Sequence, residues 1–328
     1  LSARYGIRLS MYNRIGAGTQ YEYDDQNEVI DSTNYKSGEL MKTYFGFEPR
    51  ASLTYAFTQS ISVKASYHRM YQYNHLLSNS TAGSPTDVWL PSSKILKPEF
   101  SDQYSLGYFQ NFHNDMFEFS LEGYYKDMYN VVDYENGADL LLNAKVEAQL
   151  TFGSGRSYGG ELLFRKKSGK VTGWISYTLS KTERKVAGVN NGNYFPATQD
   201  RTHNLSIVAS YHPAKRWTIS ANWVYYTGNA VTFPSGVYVV EGNLVPYYTE
   251  RNGYRMPDYH RLDVSVTLHS KEKRRFRSDY SLSFYNAYAR QNAYSISFRE
   301  SEDNPGTTEA VQLSLFTIVP SFTWNFRF

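Results

Sequence analysis

The stretch that decides the fold is the ending, SFTWNFRF (321–328). Phe322, Trp324, Phe326 and Phe328 occupy one set of alternate positions, and Ser321, Thr323, Asn325 and Arg327 the other. Alternation with period two places successive side chains on opposite faces of a β-strand. In a water-soluble sheet, a last strand with four aromatics on one face is an edge that invites aggregation. The pattern therefore calls for a partner strand and an apolar medium on the aromatic side.

The same alternation runs through the chain. Ala3, Tyr5, Ile7, Leu9 and Met11 oppose Ser2, Arg4, Gly6, Arg8 and Ser10, and Ile61, Val63, Ala65 and Tyr67 oppose Ser62, Lys64, Ser66 and His68. Leu205–Tyr211, Trp217–Tyr225 and Leu262–Leu268 repeat it. There are about a dozen such segments of roughly 10 residues or more, the length a tilted strand needs to cross hydrocarbon. The connections alternate in length. Long ones lie near 13–42, 70–98, 129–156, 183–202, 229–258 and 289–311, and short ones near 58–60, 113–115, 167–170, 213–215 and 270–275. A soluble sandwich has no reason to alternate loop length, whereas an outer-membrane barrel carries long loops outside and tight turns in the periplasm. The expected fold is all-β, a transmembrane antiparallel up-and-down β-barrel with about 12 strands present, as one domain over 1–328. Both termini are expected on the periplasmic side of a Gram-negative outer membrane. Tyr55, Phe57, Tyr124, Tyr125, Tyr211 and Trp217 sit at strand ends, as interfacial girdles do.

Composition agrees. The chain has 328 residues, 41% hydrophobic, with 31 tyrosines and 19 phenylalanines, more aromatic surface than an ordinary core uses. No run of about 18 apolar residues occurs, so no helix spans a membrane. There is no cysteine, which excludes disulfides and thiolate metal sites. A net charge of +3 is too mild to point to nucleic acid. The chain opens inside a strand pattern at Leu1-Ser2-Ala3-Arg4, without a targeting segment, so either a mature protein starts here or this is a piece of a longer chain.

Six stretches carry a family resemblance: KPEFSDQYSLGYF (97–109), SYGGELLFRKKSGKVTGWISYTLSKTER (157–184), FPATQDRTHNLSIVASY (195–211), YYTGNAVTFPSG (225–236), YRMPDYHRLDVSV (254–266) and SFYNAYARQNAYSISF (283–298). In this order and spacing, from about residue 40 to the end, the chain resembles the C-terminal barrel of TonB-dependent receptors of the Bacteroidota type. The resemblance implies a 22-stranded barrel filled by an N-terminal plug, with a TonB-binding segment (TonB box) upstream of it. The plug, that segment and about ten strands are absent here, since a plugged lumen of 22 strands is the form such transporters take. It also implies energy from TonB–ExbB–ExbD, a surface lipoprotein as a further partner, contact with outer-membrane lipid and lipopolysaccharide, and assembly by the barrel-assembly machinery. Phe322, Trp324, Phe326 and Phe328 resemble the ending that this machinery reads.

Candidate sites are few. Asp200-Arg201-Thr202-His203-Asn204 and Pro257-Asp258-Tyr259-His260-Arg261 pair a carboxylate with a histidine, but two ligands fall short of a metal shell. They read as groups that fix loop take-off. No nucleophile elbow surrounds any serine, and His203 and Ser206 lie on opposite faces, so no catalytic residue and no cofactor is expected. Ligand contacts are expected from aromatics of the long loops: Tyr23, Tyr35, Trp89, Tyr194, Tyr238, Tyr247 and Tyr248. Rigid rings suit catechol, haem, glycan or peptide surfaces, and serve equally as girdle anchors. Arg4, Arg8, Lys64, Glu118, Glu122, Lys126, Glu161, Arg165 and Arg327 face inward and need partners there. Three readings stand: a transporter barrel importing siderophore-iron, haem, vitamin, peptide or glycan; a stand-alone 12-stranded passive channel; and a receptor-like scaffold subunit of an envelope complex. Pairing of the first strand with the last separates a closed small barrel from a larger one.

Overall fold

The computed structural model describes residues 1–328 except 25, 78–86, 242, 272–276, 305 and 328. Twelve strands form one antiparallel wall, numbered here in chain order: β1 Ser2–Ile15, β2 Leu40–Ala56, β3 Ile61–Gln72, β4 Glu99–Phe112, β5 Phe117–Tyr134, β6 Leu150–Lys166, β7 Val171–Val186, β8 His203–Ala214, β9 Trp217–Tyr226, β10 Tyr259–Leu268, β11 Arg277–Tyr285 and β12 Val319–Arg327. Each strand pairs with its neighbours in sequence, and short Phe195–Pro196 adds to β7. Strand number, up-and-down order and alternation of loop length all agree with the sequence reading. β1 and β12 stand at the two edges and do not pair with each other among the described residues.

Tight connections follow local chemistry. Thr58 Oγ1 accepts from the Ser60 and Ile61 amides at 3.1 and 3.0 Å, closing the turn from β2 to β3. His113, Asn114 and Asp115 all take positive φ between β4 and β5, and polar residues of this kind visit that region most readily outside glycine. Several strands exceed the expected length, β5 reaching 18 residues. Their extra residues run on at the long-loop end.

The two faces differ in character. On the polar face, Ser210 lies opposite Ser220, Ser220 opposite Ser265, Ser265 opposite Ser283 and Ser283 opposite Ser321. Hydroxyls bridge neighbouring strands there, as between Ser66 and Ser105 at 2.6 Å and Thr267 and Ser281 at 2.8 Å. The apolar face is bare, with Tyr5 91%, Leu9 77% and Phe322 68% exposed. An apolar face of this extent requires a cover. Buried hydrophobics sit elsewhere. Leu77, Leu96, Val132, Leu140, Val146 and Leu150 form one cluster, and Val186, Val189 and Phe195 another, both at the long-loop end. A wall with no core of its own, capped by loops with small cores, is built for hydrocarbon on its apolar side.

Two rings of aromatics bound that side. Tyr67, Tyr104, Tyr125 and Tyr158 lie opposite one another in turn toward the long loops. Phe112, Phe117 and Phe164 cluster at the short-turn end. Tyr124 departs from the expected girdle: register sets it opposite Ser105 and Gly159, on the polar face. Adjacent residues on a strand face opposite ways, so only Tyr125 of that pair belongs to the girdle.

Candidate functional site

Four of the six long connections fold into local hairpins among the described residues. Gly18–Tyr23 pairs with Val29–Tyr35, Asn74–Leu77 with Val88–Pro91, Gly236–Val240 with Asn243–Tyr247, and Ser295–Glu300 with Thr308–Leu313. Ion pairs then join them: Lys94 with Glu22, and Arg14 with Glu147 at 3.0 Å. The Glu22 carboxylate holds the Lys94 ammonium above its ordinary value. His75 is 1% exposed against Ser92, Nε2 to Oγ 3.0 Å, and its Nδ1 has no partner among the described residues. Burial pushes its imidazole down to about 4, so it is neutral at physiological pH.

Arg251 is the tie between loops. Its guanidinium bonds the Asp133 carboxylate, the Tyr134 carbonyl at 3.2 Å and the Asn136 side chain at 2.9 Å, and stacks 4.3 Å over the Tyr134 ring. Its amide donates to Asn190 at 2.7 Å. The connection before β10 is thereby fastened to the end of β5 and to the connection that follows β7.

A cavity of about 350 Å³ opens on the polar face where β9, β10 and β11 meet the long loops, lined by Arg201, Tyr226, Tyr259, Tyr285, Tyr294 and Phe316 among others. Tyr226 and Tyr259 are opposite on neighbouring strands, and their rings stack at 4.5 Å. Arg201 covers the Tyr226 ring at 3.9 Å and donates to Asn229 at 2.7 Å. Arg261 donates to the hydroxyls of Tyr259 and Tyr285 at 2.9 and 2.8 Å and pairs with Asp263. Such a wall offers ring surfaces with hydrogen-bond donors held in fixed orientation, which is what orients a ligand in a pocket.

The expected aromatics do not converge. Tyr23 and Tyr35 lie on the first hairpin, Trp89 is 64% exposed on the second, and Tyr248 is 57% exposed beyond the Gly236–Tyr247 hairpin. Tyr238 and Tyr247 face each other at 6.4 Å. Tyr194 lies 4.1 Å from the guanidinium of Arg156, a residue two positions from Tyr158 and so on the apolar side. Tyr226, Tyr259 and Tyr285 escape a reading of loops because they end strands. The carboxylate–histidine stretches hold loop take-offs: Asp200 pairs with Arg255, His203 meets Tyr177 at 2.7 Å, Asp258 accepts from Tyr225 at 2.7 Å, and His260 meets Tyr288 at 2.7 Å. Of the expected assembly residues, Phe322, Trp324 and Phe326 are exposed on the apolar face, and Phe328 lies outside the described residues.

One row of charge on the apolar side was not expected. Directly above Tyr67 and its partners, Arg69 forks onto Asp102 at 2.8 and 2.7 Å, and Glu183 takes Arg156 at 2.9 Å and Lys181 at 2.6 Å. Charge beyond an aromatic ring marks where hydrocarbon ends.

A family profile described as TonB dependent receptor-like, beta-barrel, matches residues 3–308. Three solved structures are similar in fold. The ferripyoverdine receptor of the Pseudomonas aeruginosa outer membrane is 14% identical, with a TM-score of 0.55 over 81% of this chain and 32% of its own. The ferric-catecholate import receptor Fiu of E. coli K12 is 15% identical, with a TM-score of 0.55 over 99% and 41%. The ferric citrate transporter FecA, unliganded, is 13% identical, with a TM-score of 0.56 over 90% and 40%. The chain thus spans 32–41% of the length of these proteins. No curated protein sequence matches it.

Proposed function

This chain belongs to the family of TonB-dependent receptor β-barrels of the outer membrane, and on that premise we propose that it forms the C-terminal part of the barrel of an active nutrient importer. The observation that carries the reading is the wall itself: twelve membrane-length strands whose edge strands, β1 and β12, do not pair with each other among the described residues. A self-contained 12-stranded channel needs β1 paired with β12. Further strands, a plug and a TonB-binding segment in the same polypeptide complete the machine, with the long loops outside the cell and both chain ends in the periplasm. TonB–ExbB–ExbD supplies the energy through the plug. Lipid and lipopolysaccharide cover the apolar face, the aromatic ending is the signal for the barrel-assembly machinery, and a surface lipoprotein is a candidate lid.

The substrate is a bulky nutrient of the siderophore-iron, haem, vitamin, peptide or glycan kind, met first by the loop aromatics and by the cavity at Arg201 and Tyr226. Uptake of labelled ferric catecholate, ferric citrate, haem, cobalamin, oligopeptide and oligosaccharide by cells with and without the gene tests this. Uptake of one of them that needs the gene and stops with a protonophore is expected. Gene-dependent uptake that persists with the protonophore assigns a passive channel instead.

A further inference from the structure

Two glycines stand side by side on the apolar side of the wall. Gly123 on β5 and Gly160 on β6 are opposite one another, in a row that runs Leu106, Gly123, Gly160, Leu179 from β4 to β7. Glycine weakens a strand interior, and where one stands it marks a bulge, a bend or a close approach. No cause within the wall applies to this pair. The register is unbroken at both, and neither takes a positive φ. A Cβ would meet nothing nearer than a carbonyl oxygen, at 3.9 Å from Gly123 and 3.8 Å from Gly160. Gly159, one position away on the polar face, is the contrast, since a Cβ there would lie 2.5 Å from the Leu179 carbonyl oxygen. The pair on the apolar side therefore leaves space. That space is an open, mainly apolar groove of about 700 Å³, with Tyr104 and Tyr125 at the end toward the long loops and Tyr108 and Leu121 at the other.

We propose that this groove seats one acyl chain of lipid A, the phosphorylated glycolipid of the outer leaflet, with the lipid's phosphate on the cations beyond the tyrosines. The choice of leaflet rests on the importer reading, which puts the long loops outside the cell. Position identifies hydrocarbon as the occupant. The groove is continuous with the face that lipid covers, and lies between the ring at Tyr104 and Tyr125 and the cluster at Phe112 and Phe117. Shape selects a single chain. The floor is two strands wide, about 5 Å between the glycines, and runs about 13 Å from Leu121 to Tyr125. A helix with its side chains, ~10 Å across, is too wide to reach that floor. Methylenes lying on bare backbone make the dispersion contacts that a void forfeits. Charge selects a phosphorylated head group. Beyond the tyrosines the same side carries Arg69, Arg156, Lys181 and Lys185 against Asp102, Asp127 and Glu183. Arg156 and Lys181 share Glu183, and Lys185, 5.8 Å over the Tyr194 ring, has no carboxylate partner among the described residues. Cations placed this way hold a phosphate through charge-assisted hydrogen bonds.

The test uses the full-length receptor, stripped of endogenous lipid in mild detergent and offered lipid A or phosphatidylglycerol, with native mass spectrometry as the readout. One lipid A molecule is expected to stay bound. Gly123→Leu with Gly160→Leu is expected to retain about tenfold less, and Ala221→Leu, which enlarges the same face on β9 outside the groove, to retain as much as the unaltered receptor. Leucine suits a strand better than glycine, and heat-resistant mobility checks that the double variant has formed its barrel. Equal retention by the folded double variant overturns the proposal, and so does phosphatidylglycerol held as well as lipid A. A cryo-EM map of the unaltered receptor in native-membrane nanodiscs needs no variant. Chain density over Gly123 and Gly160 that continues to a head group at Lys181 is expected, and a bare groove, or one filled by a protein segment, overturns the proposal. An epitope inserted at Ser168, between β6 and β7, separates the two readings. If it is exposed on intact cells the wall is inverted, and the importer reading falls together with the choice of lipid A. If it is hidden and the groove is bare, only the lipid seat falls.

Discussion

Arg251 shows how much of the long-loop end depends on one side chain. It is 10% exposed and holds Asp133, itself 8% exposed, whose other cation, Arg184, is 3.9 Å away. Removing one partner of a buried ion pair costs about 3–5 kcal/mol. Arg251→Ala is therefore expected to speed amide exchange at 133–136 and 190–193 while leaving exchange in the wall strands unchanged, and Arg251→Lys, a point charge without the fork, to fall between. Unchanged exchange at 133–136 contradicts the tie. His75 gives a pH dependence. Above its ordinary value of 6.5 the imidazole is neutral folded or unfolded, so it exerts no penalty. As pH falls from 6.5 toward about 4 the unfolded hairpin takes up a proton that the folded one does not, so local stability falls, by at most about 3 kcal/mol at ~1.4 per pKa unit. Exchange at 74–77 and 88–91, corrected for its intrinsic pH dependence, is expected to rise over that range, and His75→Phe to flatten it. Neither residue was legible in the sequence. Arg251 meets Asp133 118 positions away, and nothing local to His75 announces burial. Asp200, His203, Asp258 and His260 were legible as take-off groups because they flank strand starts.

At the scale of elements, the apolar band has a measurable height. Tyr104 and Phe112 on β4, like Tyr125 and Phe117 on β5, are eight residues apart. That is about 26 Å along the strand, and roughly 20 Å along the membrane normal at a tilt near 40°, close to the band of about 25 Å in outer-membrane barrels. Leu121 lies midway and is 50% exposed on the apolar face. Leu121→Arg is expected to cost about 2–4 kcal/mol of folding free energy in lipid vesicles, whereas Thr178→Arg on the polar face, opposite Glu161, costs little. Equal costs contradict the assignment of faces. Strand faces were readable because parity is conserved along a regular strand and a single slip reverses it. The row from Arg69 to Glu183 shares the apolar parity and was missed, since alternation gives the face but not the height at which hydrocarbon stops. The loop hairpins were missed for another reason. Their polar sequences, as in Gly18–Tyr35, lack an apolar repeat, and their cores are assembled from several connections.

For the whole molecule, the division of labour is between a wall whose apolar surface faces outward and loops that carry the buried clusters. Chain-wide alternation of long and short connections was legible before any contact was known, because a strand that crosses a membrane must turn back at once on one side and is free to wander on the other. What meets the polar face of the wall was not legible, since alternation gives the side a residue faces and not its partner. The central claim is that these 328 residues are the C-terminal part of a plugged, TonB-driven barrel, and the intact mass of the polypeptide in purified outer membranes tests it most directly. A species roughly two to three times the 37.8 kDa of this chain is expected, in keeping with its 32–41% share of the compared proteins. A species near 37.8 kDa would contradict it, and the wall would then have to close on itself or serve as a scaffold.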